Sequence, residues 1–211
     1  MSTTSRPLPA VVWDMGGIMY RYFTELLLER SAVSGWPPIA LGPTGPLPDP
    51  DYEAQSRGDI DESDYLAVVR ERLTEAGIDL DPVTAFDFYD HHRPATWRLI
   101  EELHAAGHPQ ALVTNDASKW LGDNWWETWK PMRWFDTIID VSVLGVRKPA
   151  PEPYLAAAEQ LGLAPADCIF VDDMQINCDG AEAVGMGSHV FDIATPAFSI
   201  AALRERIGIA P

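Results

Sequence analysis

Short apolar runs, each closing on a polar residue, alternate with helix-patterned segments along most of this chain of 211 residues. That rhythm fixes the class, because a strand greasy along its whole length must be covered on both faces, which a parallel sheet flanked by helices achieves. The strands expected are Ala10 to Asp14, Gln110 to Thr114, Asp136 to Ser142, Asp167 to Asp172 and Ser188 to Asp192. Between them Pro94 to Ala106, Pro151 to Leu161, Asn177 to Val184 and Ser199 to Ile207 carry helical spacing. Pro94 and Pro151 stand at first-turn positions, and Gly107 and Gly162 stand where helices end. The fold class expected is therefore α/β. The rhythm fails between about Tyr20 and His92, where only helical patterns such as Glu25 to Ala32 and Glu62 to Ala76 occur. Residues 20–92 read as a helical insertion into a core made of 1–19 and 93–211. Inside it, Gly35 to Pro50 holds six prolines and three glycines in sixteen residues, a composition expected to form a mobile loop.

Charge and motif content narrow the function. Fifteen basic against thirty-two acidic side chains give a net charge of −17, with no basic cluster, which speaks against a nucleic-acid partner. The first residues, Met-Ser-Thr-Thr-Ser-Arg-Pro, lack the apolar core of a secretory signal, and no run approaches the ~20 apolar residues of a membrane span. A cytoplasmic protein without a membrane partner is expected, and Cys168 and Cys178 read as thiols. Phosphate-loop, dinucleotide, nucleophile-elbow and zincin patterns are all missing from the sequence.

Open parallel sheets bind ligands beyond the carboxyl ends of their strands, so the polar residues there are the candidates for chemistry. The first run, Val-Val-Trp-Asp-Met-Gly-Gly, delivers Asp14 before two glycines; the second delivers Thr114 and Asn115 and runs on to Asp116. Lys148, one of three lysines in the chain, lies in Gly-Val-Arg-Lys-Pro, and Ile-Phe-Val-Asp-Asp ends in Asp172 and Asp173. Singly, each is ordinary: an Asp after a strand caps or turns, Thr-Asn makes a turn, and an Asp pair sits in water. In this order, at successive strand ends, they supply what phosphoryl transfer through an aspartyl-phosphate requires. Asp14 is the nucleophile, Lys148 and Thr114 hold phosphoryl oxygens, and a hard divalent ion such as Mg2+ relieves the crowded carboxylates.

This set resembles the four motifs of the haloacid dehalogenase-like hydrolase superfamily, matched in order by Asp14, Thr114, Lys148 and Asp172-Asp173. Supporting residues include Asn115, Asn177, Gly180-Ala181 and Gly185-Met186. The resemblance implies a Rossmann-like core, a small helical cap over about 20–92, a Mg2+ cofactor and a small phosphorylated metabolite as substrate. It makes Asp14 and Lys148 catalytic and adds Asn115 to the phosphoryl-binding residues. Asp14, the Gly16 carbonyl and Asp173 become metal ligands, with Asp172 behind them or bridged by water. The stretch Arg57-Gly-Asp-Ile-Asp-Glu-Ser-Asp-Tyr is similar to the subgroup holding the N-terminal domain of soluble epoxide hydrolases and bacterial glucose-1-phosphate phosphatases, so a sugar phosphate is a plausible substrate.

Gly16 departs from the pattern, since phosphatases of the superfamily usually carry there the Asp that acts as general acid and base. Losing a positioned acid removes roughly 10²- to 10⁴-fold in rate, which argues against a phosphomutase. Asp59, Asp61, His91 or His92 of the insertion could stand in. A non-catalytic phospholigand- or partner-binding protein is the alternative, and a haloacid dehalogenase the third reading, disfavoured by the Asp pair. Five of the eight tryptophans, Trp120, Trp125, Trp126, Trp129 and Trp134, crowd into fifteen residues. The plainer reading is a helix packed on the sheet; the sharper ones are a homodimer contact or a wall for stacking sugars.

Overall fold

In the computed structural model, which describes residues 8–209 apart from 57, 58, 87, 116 and 128, the chain divides into two compact units. Residues 1–19 with 94–211 form one, and residues 20–93 the other. Asp116, the Arg57-Gly58 pair and the side chain of Trp120, all singled out above, lie outside what is described.

The first unit is built on five strands, β1 (Ala10–Trp13), β2 (Gln110–Thr114), β3 (Thr137–Asp140), β4 (Cys168–Asp172) and β5 (Gly187–Val190). All pairs are parallel, in the order β3-β2-β1-β4-β5. The chain steps outward from β1 to β2 and β3 and returns to β4 on the other side of β1. The change of direction falls between β1 and β4, the place where such sheets open a binding crevice.

Both faces of the sheet are covered, which is why the strands read as unbroken apolar runs. Val12, Val113 and Phe170 pack with Tyr154 and Ala157 of α7 (Pro151–Leu161) and with Cys178 and Ala181 of α8 (Gln175–Ala183), and the intervening Val11, Trp13, Leu112 and Val171 are also buried. Helix α4 (Pro94–Ala106) buries Leu99, Ile100 and Leu103 and is tied to α9 (Pro196–Ile207) by Arg204 and Glu102 at 2.6 Å. Gln110 starts β2 as a buried polar residue with its amide satisfied: it accepts from Trp13 Nε1 at 2.9 Å and donates to the Ile100 and Trp134 carbonyls.

Two expectations need correcting. The apolar run at 136–142 is a strand only to Asp140, because Val141–Leu144 turns into the short helix α6. The tryptophan segment is not one helix. After the short α5 (Ala117–Leu121) it passes through two 3-10 turns, Trp125–Glu127 and Lys130–Trp134. Trp125 and Trp129 are buried, the latter against Trp97 at 5.7 Å and Phe135 at 5.8 Å, so much of this aromatic surface is used within the chain.

The second unit packs α1 (Phe23–Ser34), α2 (Pro50–Ser56) and α3 (Glu62–Glu75) around Phe23, Leu27, Tyr65, Val69 and Leu73. Its proline-rich loop is irregular, as expected, yet firmly held. Ile39 and Leu41 enter the core, and the buried Asp49 accepts from Gly42 N at 2.8 Å, Tyr65 Oη at 2.7 Å and Arg72 Nη1 at 2.9 Å. Burial would raise the Asp49 pKa, but these donors together with Tyr52 N hold it below the ordinary carboxylate value. The ends of the unit meet: Tyr20 bridges His92, Arg21 N donates to His91 O at 2.6 Å, and Arg93 Nη2 grips both oxygens of Glu25 at 2.7 Å.

Candidate active site

Neighbouring strand ends bring the first two acids together. β1 ends at Trp13, in register with Val171 of β4, and Asp14 N extends the ladder one step by donating to Val171 O at 2.8 Å. Asp14 therefore emerges beside Asp172, the last residue of β4, with Asp173 next in the chain. One carboxylate oxygen from each of the three lies within 4.8 Å of the others.

Lys148 enters from the loop before α7. Its Nζ donates to Asp14 Oδ1 at 2.6 Å, Asp172 Oδ2 at 2.9 Å and Val113 O at 3.1 Å, which uses all three ammonium protons. With its side chain 1% exposed, burial pulls its pKa down, but Asp14 and Asp172 outweigh that and raise it above the ordinary lysine value. Asn115 holds the same lysine by its main chain, accepting from Lys148 N at 3.1 Å and donating to Lys148 O at 3.4 Å. Gly180 of α8 makes the close approach possible, since a Cβ there would lie 2.5 Å from Pro149 O. Thr114 closes β2, buried, in register with Asp140 of β3.

One ammonium against three crowded carboxylates leaves an excess of negative charge. Burial first, and then the charge of Asp172, push Asp14 up to about 7 despite the pull of Lys148; Asp173 is raised for the same reasons, with Asp14 adding to the repulsion. The donors suit a hard divalent cation, being all oxygen and jointly over-charged. The backbone is shaped to the same end: Gly17 has φ +67°, and a Cβ there would stand 2.8 Å from Asp173 Cγ. The Gly16 carbonyl accepts from Ile18 N at 2.7 Å, which leaves it one lone pair.

The sequence-expected residues Asp14, Asn115, Lys148, Asp172 and Asp173 thus converge. Asp61, one of the acids considered as substitutes for the side chain lacking at Gly16, caps α3 by accepting from Asp64 N at 2.9 Å, and His91 Nδ1 bonds to Arg21 O at 2.8 Å. Two further participants carried no assigned role. Asn177 of α8 donates to both oxygens of Asp172 at 3.1 Å, and Trp125 Nε1 donates to Asp140 Oδ2 at 2.7 Å. Asn177 had a sequence signal, its place four residues after Asp173; Trp125 had only its membership of the tryptophan cluster, which does not reveal Asp140 as its partner.

Comparison with known proteins gives consistent results. The family model described as haloacid dehalogenase-like hydrolase matches residues 9–185. The chain is 35% identical over 102 residues to the protein CbbY of Cupriavidus necator, covering 44% of this chain and 38% of that protein. It is 33% identical over 86 residues to phosphoglycolate phosphatase of Escherichia coli, covering 41% of this chain and 34% of that enzyme. The chain therefore spans less than two thirds of the length of these relatives. Among solved structures, a hydrolase of Deinococcus radiodurans with bound phosphate and sodium superposes with a TM-score of 0.57 at 20% identity, covering 97% of this chain and 96% of that one. A hydrolase of Streptococcus pneumoniae gives 0.56 at 19%, over 97% and 100%. At such identities the likeness is one of fold.

Proposed function

The chain belongs to the haloacid dehalogenase-like hydrolases, and on that footing we propose that it is a Mg2+-dependent phosphatase of small phosphate monoesters, sugar phosphates among them, working through an aspartyl-phosphate on Asp14. The observation that carries this reading is the buried contact of Lys148 Nζ with Asp14 Oδ1 at 2.6 Å, inside a cluster of three carboxylates. Asp14, the Gly16 carbonyl and Asp173 would hold the ion, with Asp172 behind them, and when bound it neutralises the carboxylates and the incoming phosphate.

An oxygen of Asp14 attacks phosphorus and the bond to the leaving oxygen breaks, that oxygen keeping the electron pair and taking a proton from solvent. Water then attacks the same phosphorus, yielding a proton to solvent, breaking the bond to Asp14, releasing phosphate and restoring the carboxylate. Lys148, its three protons already placed on Asp14, Asp172 and the Val113 carbonyl, orients Asp14 and offsets the developing charge as a buried cation, while the Thr114 hydroxyl and Asn115 receive the phosphoryl oxygens. With Asn115's side chain engaged on Lys148, its main-chain amide is the group left for this task. Gly16 offers no side chain to protonate the leaving oxygen, so substrates whose leaving group departs readily turn over fastest.

The test is phosphate release from sugar phosphates, phosphoglycolate, flavin mononucleotide and an aryl phosphate, with Mg2+ or EDTA, for wild type beside Asp14→Asn. Metal-dependent release that disappears in Asp14→Asn is expected. Mg2+ binding without release from any substrate would overturn catalysis in favour of a phospholigand-binding protein, the reading that Gly16 favours.

A further inference from the structure

Three carboxylates and one lysine share the site, and a divalent ion competes with the ammonium for the same oxygens. Asp172 is the most deeply placed of the three, with 0% exposure. A carboxylate accepts through both of its oxygens, and on Asp172 three donor groups cover them. Oδ1 accepts from Met174 N at 2.9 Å and from Asn177 Nδ2 at 3.1 Å. Oδ2 accepts from Lys148 Nζ at 2.9 Å and again from Asn177 Nδ2 at 3.1 Å. Asn177 thus bridges the two oxygens with one amide N–H shared between them. It is itself buried in the first turn of α8, its carbonyl accepting from Tyr154 Oη at 2.8 Å, so the amide stays aimed at Asp172. Asp173 differs: it is only half-buried and faces the space that Gly17 keeps open.

We propose that Asn177 is a positioning residue that divides the acids of the site: by bridging both oxygens of Asp172 it reserves that carboxylate for Lys148 and leaves the divalent ion to Asp14 and Asp173. The inference rests on the Mg2+ reading above. It assigns Asn177 to the lysine, acting through Asp172, and not to the support of a metal ligand.

The test follows Lys148 directly. The chain has three lysines, Lys119, Lys130 and Lys148, so lysine-selective 15N labelling gives three ammonium signals, and Lys148→Met identifies the third. Mg2+ is titrated in while calorimetry records binding. In wild type the Lys148 signal is expected to keep its slow hydrogen exchange at Mg2+ saturation. In Asn177→Ala, Mg2+ is expected to bind at least as tightly as in wild type and to abolish that protection, because Asp172 becomes available to the ion.

Loss of the wild-type signal on saturation overturns the inference, and this arm stands even if Asn177→Ala does not fold. Weakening of Mg2+ binding by ~10-fold or more in a folded Asn177→Ala, the usual result of removing support from a metal ligand, also overturns it. Flat calorimetry in wild type overturns the Mg2+ reading and this inference together, whereas binding with a lost Lys148 signal overturns this inference alone.

Discussion

Gly17 and Gly162 share φ +67°, yet a Cβ at Gly162 would meet nothing within 4 Å while one at Gly17 would stand 2.8 Å from Asp173 Cγ. Alanine at either site forces an L-residue into the left-handed region at roughly 1–2 kcal/mol. For a chain of this size that lowers the melting temperature by about 2–8 °C. Only Gly17→Ala adds a collision. Carbon atoms rest at about 3.5 Å or more, so the Asp173 carboxylate must retreat by about 0.7 Å, beyond the ~0.5 Å within which a working constellation must be held. Scanning calorimetry in EDTA should therefore show comparable losses for the two variants, whereas titration calorimetry should show Mg2+ binding weakened at least ~10-fold in Gly17→Ala and unchanged in Gly162→Ala. Wild-type Mg2+ affinity in a folded Gly17→Ala would refute the assignment of Asp173 to the ion.

Three further outcomes are expected. Asp14 titrates at about 7 in the folded chain against 3.8 in the unfolded one, so the native state holds more protons over that interval and stability in EDTA falls as pH rises from 4 to 7, then levels. Asp173, raised by the same burial and repulsion, adds to that fall, His92 and His189, lowered by burial, oppose it below 6.5, and the depressed carboxyls Asp49, Asp81 and Asp192 act only below 3.8. Mg2+ must displace the same proton, so its affinity should climb by up to about tenfold per pH unit towards pH 7, and urea melts with calorimetry at pH 5 to 8 check both slopes; a flat profile refutes them. Asn115→Ala removes both contacts to the Lys148 main chain and should cost about 1–3 kcal/mol by urea unfolding, an unchanged midpoint counting against the clamp. Asp49→Ala leaves Arg72, Tyr65 and the Gly42 amide without their shared acceptor, costing about 3–5 kcal/mol and opening residues 35–50 to limited proteolysis; an unaltered cleavage pattern would show that the loop is held by other means.

Where local chemistry decides an element, the sequence was enough. Helices α4 and α7 run Pro94–Ala106 and Pro151–Leu161 as expected, because a proline suits the first turn and a glycine the left-handed stop at Gly107 and Gly162. The convergence of Asp14 and Asp172 was legible too, since parallel strands deliver their last residues to one edge, and Lys148 joins them from the loop before α7. Contacts between distant residues were not. The end of β3 at Asp140 is hidden because apolar residues continue into α6, and periodicity cannot separate a buried strand from a buried turn of helix. The order in the proline-rich loop comes from Tyr65 and Arg72 on a later helix, acting through Asp49. Nothing in Asn115 or its neighbours reveals that its amide reaches a main chain 33 residues away.

The paired ends of the 20–93 unit, with Tyr20 bridging His92 and Arg21 N on His91 O at 2.6 Å, bear on how such a chain can diversify. An insert whose entrance and exit touch asks nothing of its host except a gap one bridge wide. It can lengthen, shrink or be exchanged for another while the path from β1 to α4 keeps its span, and β1 and β4, which deliver Asp14 and Asp172, stay in register. Grafting a different insert between residues 20 and 93 should thus leave the core unit folded with its contacts among Asp14, Lys148 and Asp172 intact.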